Sequence, residues 1–499
     1  MKIFSIAVNM HDHNTYDGIT HRQEERYTRR KHNLLSDPHN PLPSREFFSR
    51  EFSPNYNKDK IFCFTCSNLG KDFVLDLIDS TLKTRDFLNF KPTNLWDYYF
   101  TDNFYYIDHH QSHAAYAYLS SSFNKSDILA IDGRGWQFTC IFIDQEGNIT
   151  DLSSQFSIGG LWNRISQDIG FGYLGAGKTM GLAGFGQYNL GVYNLIIEYL
   201  QNPNHQLTDE ARRIVKIVPK EDVAYTLQYA TTELIKQIIL PLKTSDNICI
   251  AGGVAYNGYV NEELTKYYKQ VHVPPAVGDE GQALGTYMHA EYMLNKNIHI
   301  PNVYSGQEYK INTSIFTDLH FEEKDINEIS IEVARAIAAG AIVGWFQGKS
   351  ESGNRALGNR SILADPRNPD IKNIINARIK KREDFRPFAP SVLEEHYREY
   401  FDTNQLSPYM SRIVKVTSDK IPGVTHVDKT ARIQTVSRDF NQKFYNLINE
   451  FYKITGVPVL LNTSFNCQEP IVETPEEAIS TFKKTGLDIL VIDNYLIKK

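Results

Sequence analysis

An α/β fold in two lobes is what this sequence predicts, and three observations carry it. Short β-branched runs recur along the chain: KIFSIAVNM at the start, ILAIDGRG at 128–135, NICIAGG at 247–253 and AIVGWF at 341–346, each closing on small or polar residues. Between them lie stretches whose apolar residues return every three or four positions, the clearest at 208–242. A length of 499 residues, at roughly 100–200 residues per domain, calls for more than one core.

Hydrophobic residues make up 41% and charged residues 22%, ordinary globular usage that excludes a disordered, collagen-like or coiled-coil chain. Fifty-three Lys and Arg against 59 Asp and Glu leave a formal charge of −6. A nucleic-acid contact would therefore need a local basic patch; Arg22, Arg26, Arg29, Arg30 and Lys31 could meet phosphates, with a structural role for this segment as the favoured alternative. Taken in order, MKIFSIAVNMHDHN has a single Lys and no small-residue cleavage site, and reads as a first β-strand. Cys63 and Cys66 form a C-x-x-C inside the strand-like run IFCFTC, and without a second pair they are expected in the core. With Cys140, Cys249 and Cys467 they are too few and too scattered for a disulfide framework, which points to a reducing compartment. The apolar run VARAIAAGAIVGWF is interrupted by Arg335 and falls short of the roughly 20 residues that span a bilayer. The chain is thus expected in the cytoplasm with no membrane segment. A polar, weakly periodic stretch at 299–323 reads as a connector and sets the expected domains at 1–320 and 321–499. No repeat of fixed period is present.

The strongest local signal is Asp108-His109-His110-Gln111-Ser112-His113 leading into AAYAYL. On a helix, His109 and His113 at i and i+4 share a face and can grip one metal through imidazole nitrogens. The competing reading is a helix start capped by Asp108 with its histidines at the surface. Further on, Asp132 closes a strand beside glycines and Asp279 lies between glycines before a helix. Two histidines and two aspartates make a mixed nitrogen and oxygen set suited to iron, manganese or zinc. Gly252 and Gly253, after the strand NICI, could let the chain approach a nucleotide. GAGKTMGLAGFGQY, which holds Lys178, has the composition of a phosphate loop but not its spacing. In the second lobe Arg355, Arg360, Arg386 and Arg432 are fixed charges whose forks match phosphate or carboxylate. Asn462, Thr463, Ser464 and Asn466 follow the apolar run PVLL and offer neutral partners at a strand end. A salt-bridged surface is the alternative; the polar run behind a buried-looking strand favours a small anion pocket.

Together these motifs resemble the O-carbamoyltransferases typified by the tobramycin, nodulation-factor and cephalosporin carbamoyltransferases. The likeness runs through VNMHD, EERYTRRKH, DHHQSHAAYAY, IDGRG, GKTMGLAGFG, AGGVAYN, GDEGQALG, RALGNRSILADPRN, REDFRPFAPSVL, TARIQTV, TGVPVLLNTSFN and EPIVETPEEA. The resemblance implies an N-terminal lobe with the actin-like ATPase fold, related to threonylcarbamoyladenosine synthases, and a YrdC-like C-terminal lobe. It implies that carbamoyl phosphate and ATP give carbamoyl adenylate and pyrophosphate in the C-terminal lobe, and that an acceptor hydroxyl takes the carbamoyl group in the N-terminal lobe. By motif, His109, His113, Asp132 and Asp279 would hold a divalent metal, ferrous iron first and manganese or zinc after it. His11 would act on the acceptor hydroxyl, Lys178 would touch phosphate, and Gly252, Gly253 and Asn257 would approach the adenosine. Arg355, Arg360, Arg386 and Arg432 would neutralise the anions, while Asn462, Ser464 and Asn466 orient the carbamoyl amide. A homodimer is the family-level expectation.

The chain departs from the family near the expected acceptor site, with Gly133-Arg134-Gly135-Trp136 where Gly-x-Gly-Glu is usual. Among acceptors, the hydroxymethyl group of 5-hydroxymethylcytosine in DNA or a nucleotide is preferred over an antibiotic or sugar hydroxyl. That preference rests on the short chain, its Asn, Lys, Ile and Tyr usage, the basic segment near residue 26 and Trp136 as a stacking surface. A nucleotide-binding actin-like regulator would explain the glycine-ended strands but leave the His/Asp set idle.

Overall fold

A computed structural model describes residues 2–8, 13–29, 60–66, 90–101, 104–133, 138–154, 157–202 and 207–499. The chain divides into two compact units, Met1–Asn302 and Val303–Lys499. This division falls ahead of the boundary expected at 320, because the supposed connector is built into the second unit. Ser352 N donates to Val303 O at 2.7 Å, Gly306 N to Ser350 O at 3.0 Å and Tyr304 OH to Leu357 O at 3.0 Å. Phe316 is buried in the second unit's core.

Among its described residues the first unit holds two sheets. One contains β1 (Lys2–Val8), β2 (Asn14–Tyr16), β3 (His21–Gln23), β4 (Lys60–Cys66), β5 (Tyr99–Thr101) and β6 (Phe104–Tyr106), in the order β3-β2-β1-β4-β6-β5. The other contains β7 (Asp127–Ile131), β8 (Cys140–Ile143), β9 (Ile149–Asp151), β10 (Asn247–Ala251) and β11 (Gln270–His272), in the order β11-β10-β7-β8-β9. Each sheet opens with an antiparallel meander and adds parallel strands beyond its first strand: β4 beside β1, and β10 beside β7. Apart from β5 at one edge, the same topology is laid down twice. Cys63 and Cys66 lie buried in β4, and the five cysteines are free thiols.

Two helices fill the centre of this unit. His109–Leu119 packs on β7 and β10 and against Gln282–Asn295, which packs on β1, β2 and β4. With neighbours all round, the first helix buries every residue except Tyr118 and shows no polar face. The contact needs Gly285, since a Cβ there would lie 2.1 Å from Ser112 O. The periodic stretch at 208–242 forms helices Asp209–Ile217 and Lys220–Ile239, parted at Pro219.

The second unit is built on a ten-stranded mixed sheet. Its strands are β12 (His320–Glu323), β13 (Val343–Phe346), β14 (Arg360–Ala364), β15 (Ala389–Leu393), β16 (Phe401–Asp402), β17 (Arg412–Val416), β18 (Thr430–Val436), β19 (Val459–Ser464), β20 (Ile489–Ile492) and β21 (Tyr495–Lys498). The centre reads β13-β14-β19-β15-β18, with β19 antiparallel to both neighbours. Helices Ile326–Ala338 and Gln442–Thr455 pack together over its core. Among the described residues no helix is long and apolar enough to cross a membrane.

Candidate active site

The helix His109–Leu119 begins at Asp108, whose carboxylate accepts from His110 N at 2.8 Å while Gln111 Oε1 accepts from Asp108 N at 3.2 Å. This capping box fixes the helix start, and the histidines behind it are buried rather than exposed. Asp108 caps the helix as one sequence reading has it, and His109 and His113 are buried one turn apart. Asp132 follows the end of β7, and Asp279 lies between β11 and the helix Gln282–Asn295.

These four side chains converge. His109 Nε2 lies 3.4 Å from Asp132 Oδ2 and 3.3 Å from Asp279 Oδ1, and His113 Nε2 lies 3.2 and 3.3 Å from the same two atoms. All four ligand atoms fall within 4.8 Å of one another. A cation held at about 2.0–2.2 Å by nitrogen and oxygen ligands needs them about 3.0–3.5 Å apart, so the set fits a divalent ion. Burial disfavours the charged imidazole of His109, but Asp279 and Asp132 outweigh it and push its pKa up to about 10. Burial lowers His113 as well, and the hydrogen bonds it donates to both aspartates overturn this and raise its pKa. Burial raises Asp132 and Asp279, and the histidines overturn this and hold both carboxyls below their ordinary value. A cation entering the set would replace the imidazole protons as the aspartates' countercharge.

Residues that sequence reasoning missed hold this geometry. Asn14 Nδ2 donates to Asp279 O at 2.8 Å and its Oδ1 accepts from Ala283 N at 2.9 Å, which ties β2 to the Asp279 turn. Gln282 Nε2 donates to His109 O at 3.3 Å and sits 2.8 Å from His113 Nε2. No sequence motif marks Asn14, because its partners are some 265 residues away.

Gly252 follows β10 with φ 86°, and a Cβ there would lie 2.3 Å from Ile131 O. A Cβ on Gly253 would lie 2.9 Å from Asp132 Oδ1. The glycine pair thus lets β10 lie close against β7 and leaves room for the Asp132 carboxylate. Asn257 caps the helix Gly258–Leu264 through Val260 N and exchanges hydrogen bonds with Gln228, so its side chain has structural duties. Lys178 lies on a separate helix, Ala176–Leu182. His11, Arg30, Lys31 and Trp136 lie outside the described residues. His13, two residues after His11, is buried with Nε2 3.6 Å from Glu24 Oε2.

In the second unit the arginines separate by role. Arg360 corrects the sequence expectation: it is fully buried, stacks 3.5 Å over the Phe346 ring, and donates to the carbonyls of Gln347 (2.8 Å) and Gly348 (2.9 Å). Its charge closes the loop after β13 instead of facing an anion. Arg432 Nη1 donates to Met410 O at 2.8 Å. Arg355 and Arg386 are half-buried, Arg386 lying 3.6 Å from Glu383. The loop that carries Arg355 is pinned by buried Glu351, whose Oε1 accepts from Leu357 N, Asn359 N and Arg360 N at 2.7–3.1 Å.

Ser464 and Asn466 gather around a residue missing from the sequence reading, Lys380. Its buried Nζ donates to Ser464 O (2.6 Å), Ser464 Oγ (3.2 Å), Asn466 O (3.1 Å) and Asn466 Oδ1 (2.6 Å). Lys380 ends a π-helical turn, Asn376–Lys380, that continues the helix Ile371–Ile375. Close by in sequence, burial and the neighbouring Arg386 lower the Arg382 pKa to about 9. The run KKRE was the available signal for both residues.

Residues 50–288 match the profile of a family described as "Carbamoyltransferase N-terminus", and residues 334–499 one described as "Carbamoyltransferase C-terminus". The chain is 37% identical over 435 residues to nodulation protein NolNO of Sinorhizobium fredii, covering 79% of this chain and 64% of that protein. It is 36% identical over 436 residues to nodulation protein NolO of Bradyrhizobium diazoefficiens, covering 79% of each. Among solved structures, the activator of the 2-hydroxyisocaproyl-CoA dehydratase from Clostridium difficile aligns at 11% identity and a TM-score of 0.36, over 60% of this chain and 99% of that one.

Proposed function

The chain belongs to the carbamoyltransferase family, and we propose that it is an ATP-dependent O-carbamoyltransferase that draws on carbamoyl phosphate and works through carbamoyl adenylate. The observation that carries this reading is one chain with two kinds of buried site: the His/Asp set of the first unit, and Lys380 ringed by neutral oxygens in the second.

In the second unit, Lys380 with Arg355, Arg386 and Arg432 holds the phosphate dianion, and these fixed charges stabilise the negative charge that builds as the phosphate bond breaks. Water takes the phosphoryl group away as inorganic phosphate. A carbamate oxygen then attacks the α-phosphorus of ATP, forming the carbamoyl–AMP bond and releasing pyrophosphate. Glu351 acts through the loop it pins and keeps Arg355 in place. In the first unit the acceptor hydroxyl attacks the carbamoyl carbon, its proton passes to His11, and AMP departs. His109, His113, Asp132 and Asp279 would hold a divalent cation, ferrous iron first and manganese or zinc after it. When bound, that ion supplies positive charge to the phosphate of the departing AMP. Lys178, Gly252, Gly253 and Asn257 border the nucleotide in this reading.

For the acceptor we place the hydroxymethyl group of 5-hydroxymethylcytosine first and an antibiotic or sugar hydroxyl second. Mass spectrometry of the protein with ATP, carbamoyl phosphate, ferrous iron and a panel of hydroxymethylcytosine DNA, its nucleotide and aminoglycosides tests the whole reading. AMP, pyrophosphate and one carbamoylated acceptor are expected. Carbamoyl adenylate alone would reject the panel, and the absence of ATP and carbamoyl phosphate turnover in metal-loaded protein would overturn the reaction.

A further inference from the structure

The chain passes from the first unit to the second at Asn302–Val303, and the residues that follow, Val303–Gly306, are all fastened to one loop. That loop joins β13 to β14 and carries Arg355. Ser352 N donates to Val303 O at 2.7 Å, Gly306 N donates to Ser350 O at 3.0 Å, and Ser305 Oγ lies 2.8 Å from Ser352 Oγ. Val303 is buried with Leu357 and Met410 in a small apolar cluster of their own. The approach is close: a Cβ on Gly306 would lie 1.9 Å from Ser350 Oγ.

Tyr304 fastens the loop again beyond Arg355. Its hydroxyl donates to Leu357 O at 3.0 Å and accepts from Asn441 Nδ2 at 2.8 Å. Asn441 is itself held, since its Oδ1 accepts from Phe444 N at the start of the helix Gln442–Thr455 and its Nδ2 reaches Asn359 Oδ1 at 3.0 Å. Buried side chains of the sheet meet the same stretch, Ala356 O accepting from Asn462 Nδ2 at 3.1 Å and Leu357 O from Gln434 Nε2 at 2.9 Å. Arg355 thus lies between two attachments of one strap, the main chain at Ser350 and Ser352 and the Tyr304 hydroxyl at Leu357. Residues 350–359 form neither helix nor strand, so these hydrogen bonds and one small apolar cluster set how much of the time the loop keeps its shape.

We propose that the strap Val303–Gly306, through the Tyr304 hydroxyl above all, is the positioning element that keeps Arg355 ready for the phosphate dianion. The inference rests on the phosphate-binding role proposed for Arg355. It adds to that role a segment outside both stretches that match the family and outside every motif of the family resemblance. A strap that only biases the loop has a distinctive kinetic effect. Losing it lowers apparent affinity by the fraction of molecules whose loop is in place, while saturating ligand draws the loop back and restores the filled site. A residue that merely supports the fold does the reverse, leaving fewer active molecules with unchanged affinity.

The test is carbamoyl-phosphate-dependent ATP–pyrophosphate exchange by the full chain, with KM and kcat taken separately. Tyr304→Phe keeps the ring against Phe440, 5.6 Å between centroids, and removes only the hydroxyl. Its KM for carbamoyl phosphate is expected to rise about fivefold, as the loss of one hydrogen bond allows, with kcat within about twofold of wild type. Gly306→Ala displaces the strap from Ser350 by a separate route and should give the same split. Placed on Arg355→Lys, Tyr304→Phe should change KM by less than it does alone, because the two act on one contact. An unchanged KM in both folded single variants overturns the proposal, as does a fall in kcat at constant KM. An equal factor in the Arg355→Lys background overturns the link to Arg355. Wild-type protein without carbamoyl-phosphate-dependent exchange overturns the reading beneath it.

Discussion

His289 shows what burial without a countercharge does to a titratable side chain, beside two histidines that have one. Burial pushes its pKa down to about 4 despite the Leu95 carbonyl and Asp97, so it is neutral, 2.8 Å from Leu95 O through Nε2 and 2.7 Å from Tyr105 OH through Nδ1. Its folded pKa lies below its unfolded value of 6.5. The stability it contributes is therefore full above about pH 6.5 and is lost as pH falls towards 4, where only the unfolded chain takes up the proton. The loss across that window is on the order of 3 kcal/mol. Urea unfolding at pH 7 and pH 5 should show a smaller pH effect in His289→Gln than in the wild type, and an equal effect would contradict this. His109 and His113 were legible in the sequence because a helical spacing of four residues is a local pattern. Lys380 and Asn14 were not, since a lysine reads as solvated and an asparagine as a turn until distant partners are known. Arg360 misled for the same reason in reverse: an arginine among small residues resembles an anion contact, and only the fold reveals the carbonyls that take its donors.

At the scale of elements, the helix His109–Leu119 does two jobs that pull against each other. It is wedged between β10, β7 and a second helix, which demands small residues such as Ala114, Ala115 and Ala117, and it carries two imidazoles into the same space. Asp132 and Asp279 make that burial tolerable by neutralising the pair. Removing one imidazole should cost metal before it costs the fold: His109→Ala is expected to purify folded but with bound iron, manganese or zinc cut to a small fraction of the wild-type stoichiometry, as read by elemental analysis. Full metal occupancy in that variant would remove the assignment. The strand positions were readable from β-branched runs, and β1, β7, β10 and β13 formed where those runs lie. The π-turn at Asn376–Lys380 was not, because Ile371, Ile375 and Ile379 give an unbroken helical pattern and only the backbone shows the wider last turn.

At the scale of the molecule, the first unit uses one topology twice although the sequence carries no repeat of fixed period. Strand order depends on where apolar runs and turns fall, not on which residues fill them, so a duplicated fold can persist without duplicated words. The division at Asn302 was misplaced in sequence because 303–319 is polar and weakly periodic, yet its backbone is bonded into the second unit. The central claim of the proposed function is two separable half-reactions, one at the buried site of each unit. The most direct measurement follows carbamoyl-phosphate-dependent ATP–pyrophosphate exchange and acceptor carbamoylation side by side in Lys380→Met and His109→Ala. Lys380→Met should lose both, whereas His109→Ala should keep exchange and lose only the carbamoylated acceptor. Parallel loss of both activities in His109→Ala would contradict the account.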